Sequence, residues 1–431
     1  KQNHFAKIIP SDLSYAGLKS YLDQLRTGGL SVAEVGKSYG GRAIYQMDFG
    51  NGPFKVFMWS QMHGDEPTAT CALLDLFYFL QQNRHLPLVE NISRKITLRV
   101  VPMLNPDGAE LYQRRNMQGI DINRDAQALV TPEGQLLKRL RDEWSPDVAF
   151  NLHNQDQRTA VGDTAEQATI SLLAVPFDEK RSVNPGRILT KKLCSVIAET
   201  LSVFIKGHIA RYDDTFNPRA FGDLMTKWGS PVVLIETGGL RGRNEEYLVQ
   251  LNFIAYIAAL NALATDSIRL ASTDFYDRLP YNNEGAFFDL LIRNATIVDR
   301  SQTVANNQPM RLYVADIGIN KNFMPARAST SKSRSMTTIN NVGDLAFVYG
   351  LDEVDARGWY VTIADGADGA NRIGGANDRL RPGADAILLF YRKDRGEQID
   401  WSVPGLESRY PPDALYRQGA WVGREKLNSI K

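Results

Sequence analysis

Cysteine is nearly absent from this chain of 431 residues, which has only Cys71 and Cys194. Two thiols are too few for a disulfide framework and lack the spacing of a thiolate metal site. Cys71 lies in an apolar helical pattern, where a thiol is buried and inert. An excess of either charge is also missing, because 50 basic and 49 acidic residues leave a formal net charge of +1. Nothing in that balance points to nucleic acid or an anionic membrane as a partner. No apolar run approaches the roughly 20 residues of a membrane span, and no internal repeat is present. The chain opens on Lys1 rather than Met. An export signal removed from a periplasmic or secreted protein, and the trimming of a cytoplasmic one, both fit that start.

What is present is ordinary globular material, 43% apolar and 23% charged. The length exceeds what one core organises, so two domains are expected. In the first, apolar runs at 56–59, 96–103, 148–152 and 231–235 read as buried strands. They alternate with helical patterns at 67–82, 132–144, 187–201 and 246–263. Asn105-Pro106-Asp107-Gly108 reads as a turn, and 162–186 is a stretch rich in Gly, Pro and charge. The alternation predicts an α/β fold, a mixed twisted sheet with helices on both faces. After about residue 268 the character changes. Short strands at 288–298, 310–317, 345–349, 359–362 and 386–391 are separated by Ser-, Asn- and Gly-rich stretches at 329–341 and 364–377. The expected organisation is a catalytic domain over 1–268 and a smaller all-β domain over 269–431, a sandwich or small barrel.

Four residues with useful chemistry stand at or just beyond strand ends, where functional groups gather in α/β sheets: His63, Asn105, His153 and Glu236. His63 and Glu66, three residues apart on a turn before Pro67, can offer an imidazole nitrogen and a carboxylate to one metal ion. Zinc takes such a pair when a second histidine arrives from elsewhere, and keeps its fourth position for water. The competing reading is a loop hydrogen bond for His63 and a helix cap for Glu66. His4, His85 and His208 have no such context. Arg124 stands between Asp121 and Asp125, where a surface ion pair is the competing reading. Glu236 directly follows Val-Val-Leu-Ile and precedes Gly238-Gly239, an awkward place for an acid without a partner.

In order, His63-x-x-Glu66, Arg115 with Asp121-Ile122-Asn123-Arg124-Asp125, His153 and Glu236-Thr237-Gly238-Gly239 resemble the zinc carboxypeptidase family, over roughly residues 45–265. The resemblance implies one catalytic zinc ion on His63, Glu66 and His153. It implies that Asn123 and Arg124 hold the terminal carboxylate of a peptide substrate and that Glu236 is the general base. Arg115, rather than its neighbour Arg114, is expected to polarise the scissile carbonyl, and Tyr212 to close over the substrate. These residue types suit amide hydrolysis. Bound zinc activates water and acts as a Lewis acid, and a carboxylate relays the proton to the leaving amine. One guanidinium stabilises the oxyanion, and another grips a carboxylate with two parallel hydrogen bonds.

His63-Gly64-Asp65-Glu66, Asp121-Ile122-Asn123-Arg124 and the short gap from Glu66 to His153 are also similar to the aspartoacylase and succinylglutamate desuccinylase branch. Two alternatives therefore stand beside a carboxypeptidase. One is an N-acyl amino acid deacylase on the same zinc site, and the other a non-catalytic binding protein on a peptidase scaffold.

Overall fold

The computed structural model describes residues 9–299, 311–325, 334–364, 379–395, 399, 401, 409–424 and 427–429. His4, residues 329–333 and residues 365–377 lie outside these. Packing divides the chain into two compact units, one over Lys1–Glu284 with Pro325–Lys332 and one over Gly285–Met324 with Ser333–Lys431. Compositional change and packing do not coincide, because the stretch after 268 stays with the first unit. Tyr276 is fully buried there, and its hydroxyl accepts the Ala174 N–H at 3.1 Å.

The first unit is built on an eight-stranded mixed sheet. Its strands are β1 (Ser31–Lys37), β2 (Ala43–Phe49), β3 (Phe54–Ser60), β4 (Ile96–Val101), β5 (Val148–Asn154), β7 (Ile170–Ala174), β8 (Ile209–Arg211) and β9 (Val232–Thr237). They run in the order β1-β2-β4-β3-β5-β9-β7-β8. The central four, β4, β3, β5 and β9, are mutually parallel. The outer pairs β2 with β4 and β7 with β9 are antiparallel. A two-residue β6 (Ala160–Val161) pairs with β10 (Asn282–Asn283) beside it. The central strands are apolar on both faces, as parallel strands covered by helices on each side must be.

Alternate residues of those strands feed two separate cores. Val56, Met58, Phe150, Leu152, Val233 and Ile235 join one core with helices α1 (Tyr15–Thr27), α2 (Thr68–Gln82), α3 (Pro87–Lys95), α6 (Pro185–Ser202) and α8 (Glu245–Ala264). Phe57, Trp59, Ala149, Val232 and Leu234 join the other, against α5 (Pro132–Trp144) and α7 (Phe221–Lys227). A short α4 (Pro106–Leu111) follows β4, and α9 (Asp274–Asp277) follows α8. The helix starts are chemically marked. Thr131 and Asn184 accept the N–H groups of Gly134 and Arg187, with Pro132 and Pro185 next in the chain. Among the described residues, α8 is long and apolar enough to cross a bilayer, which the sequence reading did not anticipate. Here it is a core helix, with Leu248, Leu251, Ala255 and Ala259 buried.

The second unit is all β. Strand β11 (Phe287–Asp299) is its spine, pairing with β12 (Arg311–Met324), β14 (Tyr349–Asp355) and β15 (Trp359–Ile363). A bulge between Ile292 and Ala295 lets its first half join β14 and its second half join β15. Asn294 sits there at φ 56°, and Arg293 ties the bend together through Asp316, Glu353 and the carbonyls of Leu345 and Val348. Strand β13 (Arg334–Gly343) extends one edge of the sheet, and β16 (Leu388–Arg392), β17 (Ala414–Arg417) and β18 (Ala420–Val422) the other. A two-residue β19 (Asn428–Ser429) pairs with β14.

Candidate metal centre and substrate pocket

The chain leaves β3 through Gln61 in the left-handed region (φ 50°) and turns before α2, which carries His63 and Glu66 inward. Gly64 is required in this turn by a close approach. A Cβ there would lie 2.0 Å from the carbonyl carbon of Gly108 at the start of α4. Asn105 locks the other side of the turn. It caps α4 by accepting the Gly108 N–H at 2.8 Å, and its amide donates to the Met62 carbonyl at 3.2 Å. The expected turn at residues 105–108 is therefore a helix start, with Asn as cap and Pro in the first helical position.

Glu66 lies between two imidazoles. His63 Nδ1 is 2.7 Å from one carboxylate oxygen and His153 Nδ1 is 2.7 Å from the other. All three side chains are buried, and one ligand atom from each lies within 4.8 Å of the others. His63 Nε2 faces Asp121 Oδ1 at 3.1 Å. Asp121 can only accept when ionised, so it orients the ring through Nε2 and leaves Nδ1, turned toward Glu66, as the atom that would exchange its proton for a metal ion. Two imidazole nitrogens and a carboxylate, buried and convergent, fit a single ion that keeps one position open.

The charges follow from the same geometry. Burial raises the cost of the Glu66 charge, but His63 and His153 outweigh it and hold the carboxyl well below its usual range. Burial likewise disfavours the His63 imidazolium. The Glu66 charge and the bonds to Asp121 and Glu66 overcome it and carry the pKa up to about 9. His153 moves the other way, because burial prevails over its attraction to Glu66.

Strand register brings Glu236 to this centre. On the parallel pair β5–β9, His153 stands opposite Glu236 and Asn151 opposite Leu234. All four have the parity of the strand residues that face α5 and α7. Glu236 is buried, and burial followed by the Glu66 charge pushes its carboxyl well up. A bound cation would pull it back down.

A pocket of about 360 Å³ opens beside Glu236. Asn123, Arg124 and Tyr212 line it, together with Asn151, Gly222 and Asp223. The 3-10 turn Ile122–Arg124 is held by Asp121, which accepts the Asn123 N–H at 2.9 Å. Asn123 Oδ1 accepts the Phe221 N–H at 3.0 Å, which ties the turn to α7. The ion-pair reading of Arg124 is corrected. Asp121 is engaged by His63 and Arg114, and Asp125 accepts from Val130 and Thr131, so both acids are occupied by other residues. Tyr212 is half-buried at the pocket, and its hydroxyl reaches Glu284 at 3.5 Å. Burial, then Glu236, raises its pKa.

The choice between the two adjacent arginines is also corrected. Arg115 points away and donates to the Gly119 carbonyl at 3.1 Å. Arg114 reaches the centre, with Nη1 3.1 Å from His63 Nδ1 and 3.5 Å from Glu66, and Nε 3.0 Å from Asp121. The cause is local. Tyr112 adopts φ 50° after α4, and the turn from Asn116 to Ile120 draws Arg115 outward. Arg114, Asp121, Asn151 and Asp223 were not singled out as site residues. Asn151 was detectable, because a strand residue two before His153 shares its face. His85 is exposed, and His208 bonds to the Gln167 carbonyl.

The fold and these side chains define a class, a three-donor metal site at the carboxyl ends of parallel strands. Residues 18–181 match the family model described as zinc carboxypeptidase. The matched segment contains the three metal-site residues, Asn123 and Arg124, and ends before Tyr212 and Glu236. Carboxypeptidase SOL1 of Arabidopsis thaliana is 32% identical over 98 residues, 21% of this chain and 20% of that protein. Carboxypeptidase 2 of Trichophyton rubrum is 30% identical over 110 residues, 25% of this chain and 20% of that protein. The matches thus span about a fifth of these relatives' length. The crystal structure of a metallo-carboxypeptidase from Burkholderia cenocepacia covers 59% of this chain and 70% of its own, at 18% identity and a TM-score of 0.48.

Proposed function

We propose that the chain is a zinc-dependent carboxypeptidase that removes one residue from the carboxyl end of a peptide or peptide-like substrate. One observation carries the reading: His153 of the buried His63–Glu66–His153 group is the ladder partner of Glu236, and Glu236 lines a pocket whose wall holds Asn123 and Arg124. Zinc on His63, Glu66 and His153 supplies a Lewis acid and a water of lowered pKa. Arg124 and the Asn123 amide bind the terminal carboxylate and set the scissile bond beside Glu236. The Glu236 carboxylate takes the proton of the attacking water, the C–N bond breaks, and the same carboxyl delivers that proton to the leaving amine. Arg114 stabilises negative charge developing on the carbonyl oxygen. Tyr212 covers the substrate from the rim.

The test is Glu236→Gln. Zinc content, measured by atomic absorption, stays at one per chain while turnover of N-blocked dipeptides falls by about 10³-fold or more, since base and proton donor vanish together. Wild-type turnover in that variant would overturn the mechanism. Chelator-sensitive cleavage confined to N-acyl amino acids, with peptides untouched, would move the protein to the deacylase branch.

A further inference from the structure

Glu236 stands between two neighbours in the sheet. His153 lies across the parallel ladder on β5, and Ser171 lies across the antiparallel ladder on β7. Ser171 belongs to the strand Ile170-Ser171-Leu172-Leu173-Ala174, in which every residue is buried. Ile170, Leu172 and Ala174 join the core that holds α2 and α8, whereas Leu173 joins the core on the Glu236 face. By alternation Ser171 shares the face of Leu173. Its side chain is fully buried, and its Oγ has no hydrogen-bond partner among the described residues. An unpaired buried hydroxyl costs stability that an alanine in the same place would not. Packing therefore gives no reason for a serine here. The Glu236 carboxylate is equally unheld. It is buried and acted on by the charges of Glu66, His63, Arg114 and Glu284, yet no group among the described residues donates a hydrogen bond to it. Directly opposed residues of an antiparallel pair have Cβ atoms about 4.5–5.5 Å apart. A serine hydroxyl and a glutamate carboxylate can close that span by a change of rotamer.

We propose that Ser171 is a positioning residue for the general base, its hydroxyl donating to one Glu236 oxygen and leaving the other for the attacking water. The inference rests on the carboxypeptidase reading for its kinetic arm. Ser171 keeps its own proton throughout. The proton of the water goes to the free oxygen of Glu236 and from there to the leaving amine. A donor to the ionised carboxylate favours that form against the burial that opposes it. It also fixes the carboxylate in one orientation before the reaction begins. The alternative, a small residue that merely fills the strand, predicts that alanine would serve at least as well.

The experiment compares Ser171→Ala and Ser171→Thr with the wild type on an N-blocked dipeptide, with zinc content measured in parallel. Ser171→Ala should lower kcat by roughly 10-fold or more, the worth of a charge-assisted hydrogen bond, while KM stays within about two-fold. Ser171→Thr keeps the hydroxyl on a side chain suited to strands and should recover most of that loss. Wild-type kcat in Ser171→Ala overturns the proposal. A second arm needs no turnover. It follows the thermal midpoint of the zinc-loaded protein for Ser171→Ala, made once in the wild type and once in Glu236→Leu. The serine change should lower the midpoint by about 2–4 °C where Glu236 is present, and leave it level or higher where the acceptor is gone. Equal shifts in the two backgrounds overturn the proposal. If the wild type cleaves no peptide, the carboxypeptidase reading fails, and the midpoints still decide whether Ser171 and Glu236 are paired.

Discussion

Arg114 and Arg115 are neighbours in the chain with separate tasks. The Arg114 guanidinium lies against His63, Glu66 and Asp121, whereas Arg115 braces the turn at Gly119. Arg114→Ala should lower kcat/KM by about 100- to 1,000-fold, the usual effect of losing an oxyanion donor. Arg115→Ala should stay within a few-fold of wild type, since an exposed contact contributes little. Steady-state kinetics with zinc content measured in parallel separates the two, and the reverse ranking would restore Arg115. Asp121 acts through His63, whose ring it orients. Asp121→Asn should weaken zinc by about 10- to 100-fold in competition with a chelator. Unchanged affinity would reduce Asp121 to a turn residue that accepts the Asn123 N–H.

At the level of elements, the turn after β3 depends on the backbone of α4. Gly64→Ala would drive a Cβ into the Gly108 carbonyl and the Ala109 nitrogen, main-chain atoms that cannot rotate aside. A loss of roughly 3 kcal/mol is expected, because overpacking without relief is costly. The readout is the urea midpoint, together with a drop in bound zinc as His63 shifts. A variant with wild-type stability would mean that α4 can move. The same elements show what was legible in the residues. Strands β3, β5 and β9 were readable because parallel strands are continuous apolar runs, and α5 because Thr131-Pro132 marks its start. Strand β7, only five residues long, was hidden inside a stretch judged by its glycines, prolines and charges. Strand β13 was hidden among serines and asparagines, since edge strands tolerate polar residues. Arg115 was chosen over Arg114 because a reversal at Tyr112 is set by packing and leaves no period to read.

For the whole molecule, loss of stability in acid is predicted from two ion-paired carboxyls, Asp214 buried and Asp277 at the surface. Asp214 joins Arg181, Arg187 and Arg211 in one cluster, and Asp277 pairs with Lys191. Burial opposes both charges, but the cations prevail and hold both carboxyls below their ordinary range. A depressed carboxyl contributes stability that is present above the unfolded pKa and lost as the pH falls through the folded one. Thermal stability should therefore decline as the pH drops below about 4, the ordinary carboxylate range. Asp214→Asn should cost about 3–5 kcal/mol at pH 7, because it strands buried arginines. Its deficit should shrink toward pH 2, as the wild type loses the same charge. A deficit constant across that window, followed by circular dichroism, would contradict the assignment.

The alignment of β5 with β9 has a consequence for how such a protein can vary. His153 and Glu236 are partners across one ladder, so their separation is a strand spacing, unaffected by the length of any loop. Deleting one residue of β9 ahead of Glu236 would turn that carboxylate to the opposite face of the sheet and end catalysis in a single step. Gaining or losing residues between Tyr212 and Ala220 would leave the ladder intact and reshape only what the pocket grips. If the proposed function holds, chemistry is inherited by the sheet and diet by the loops.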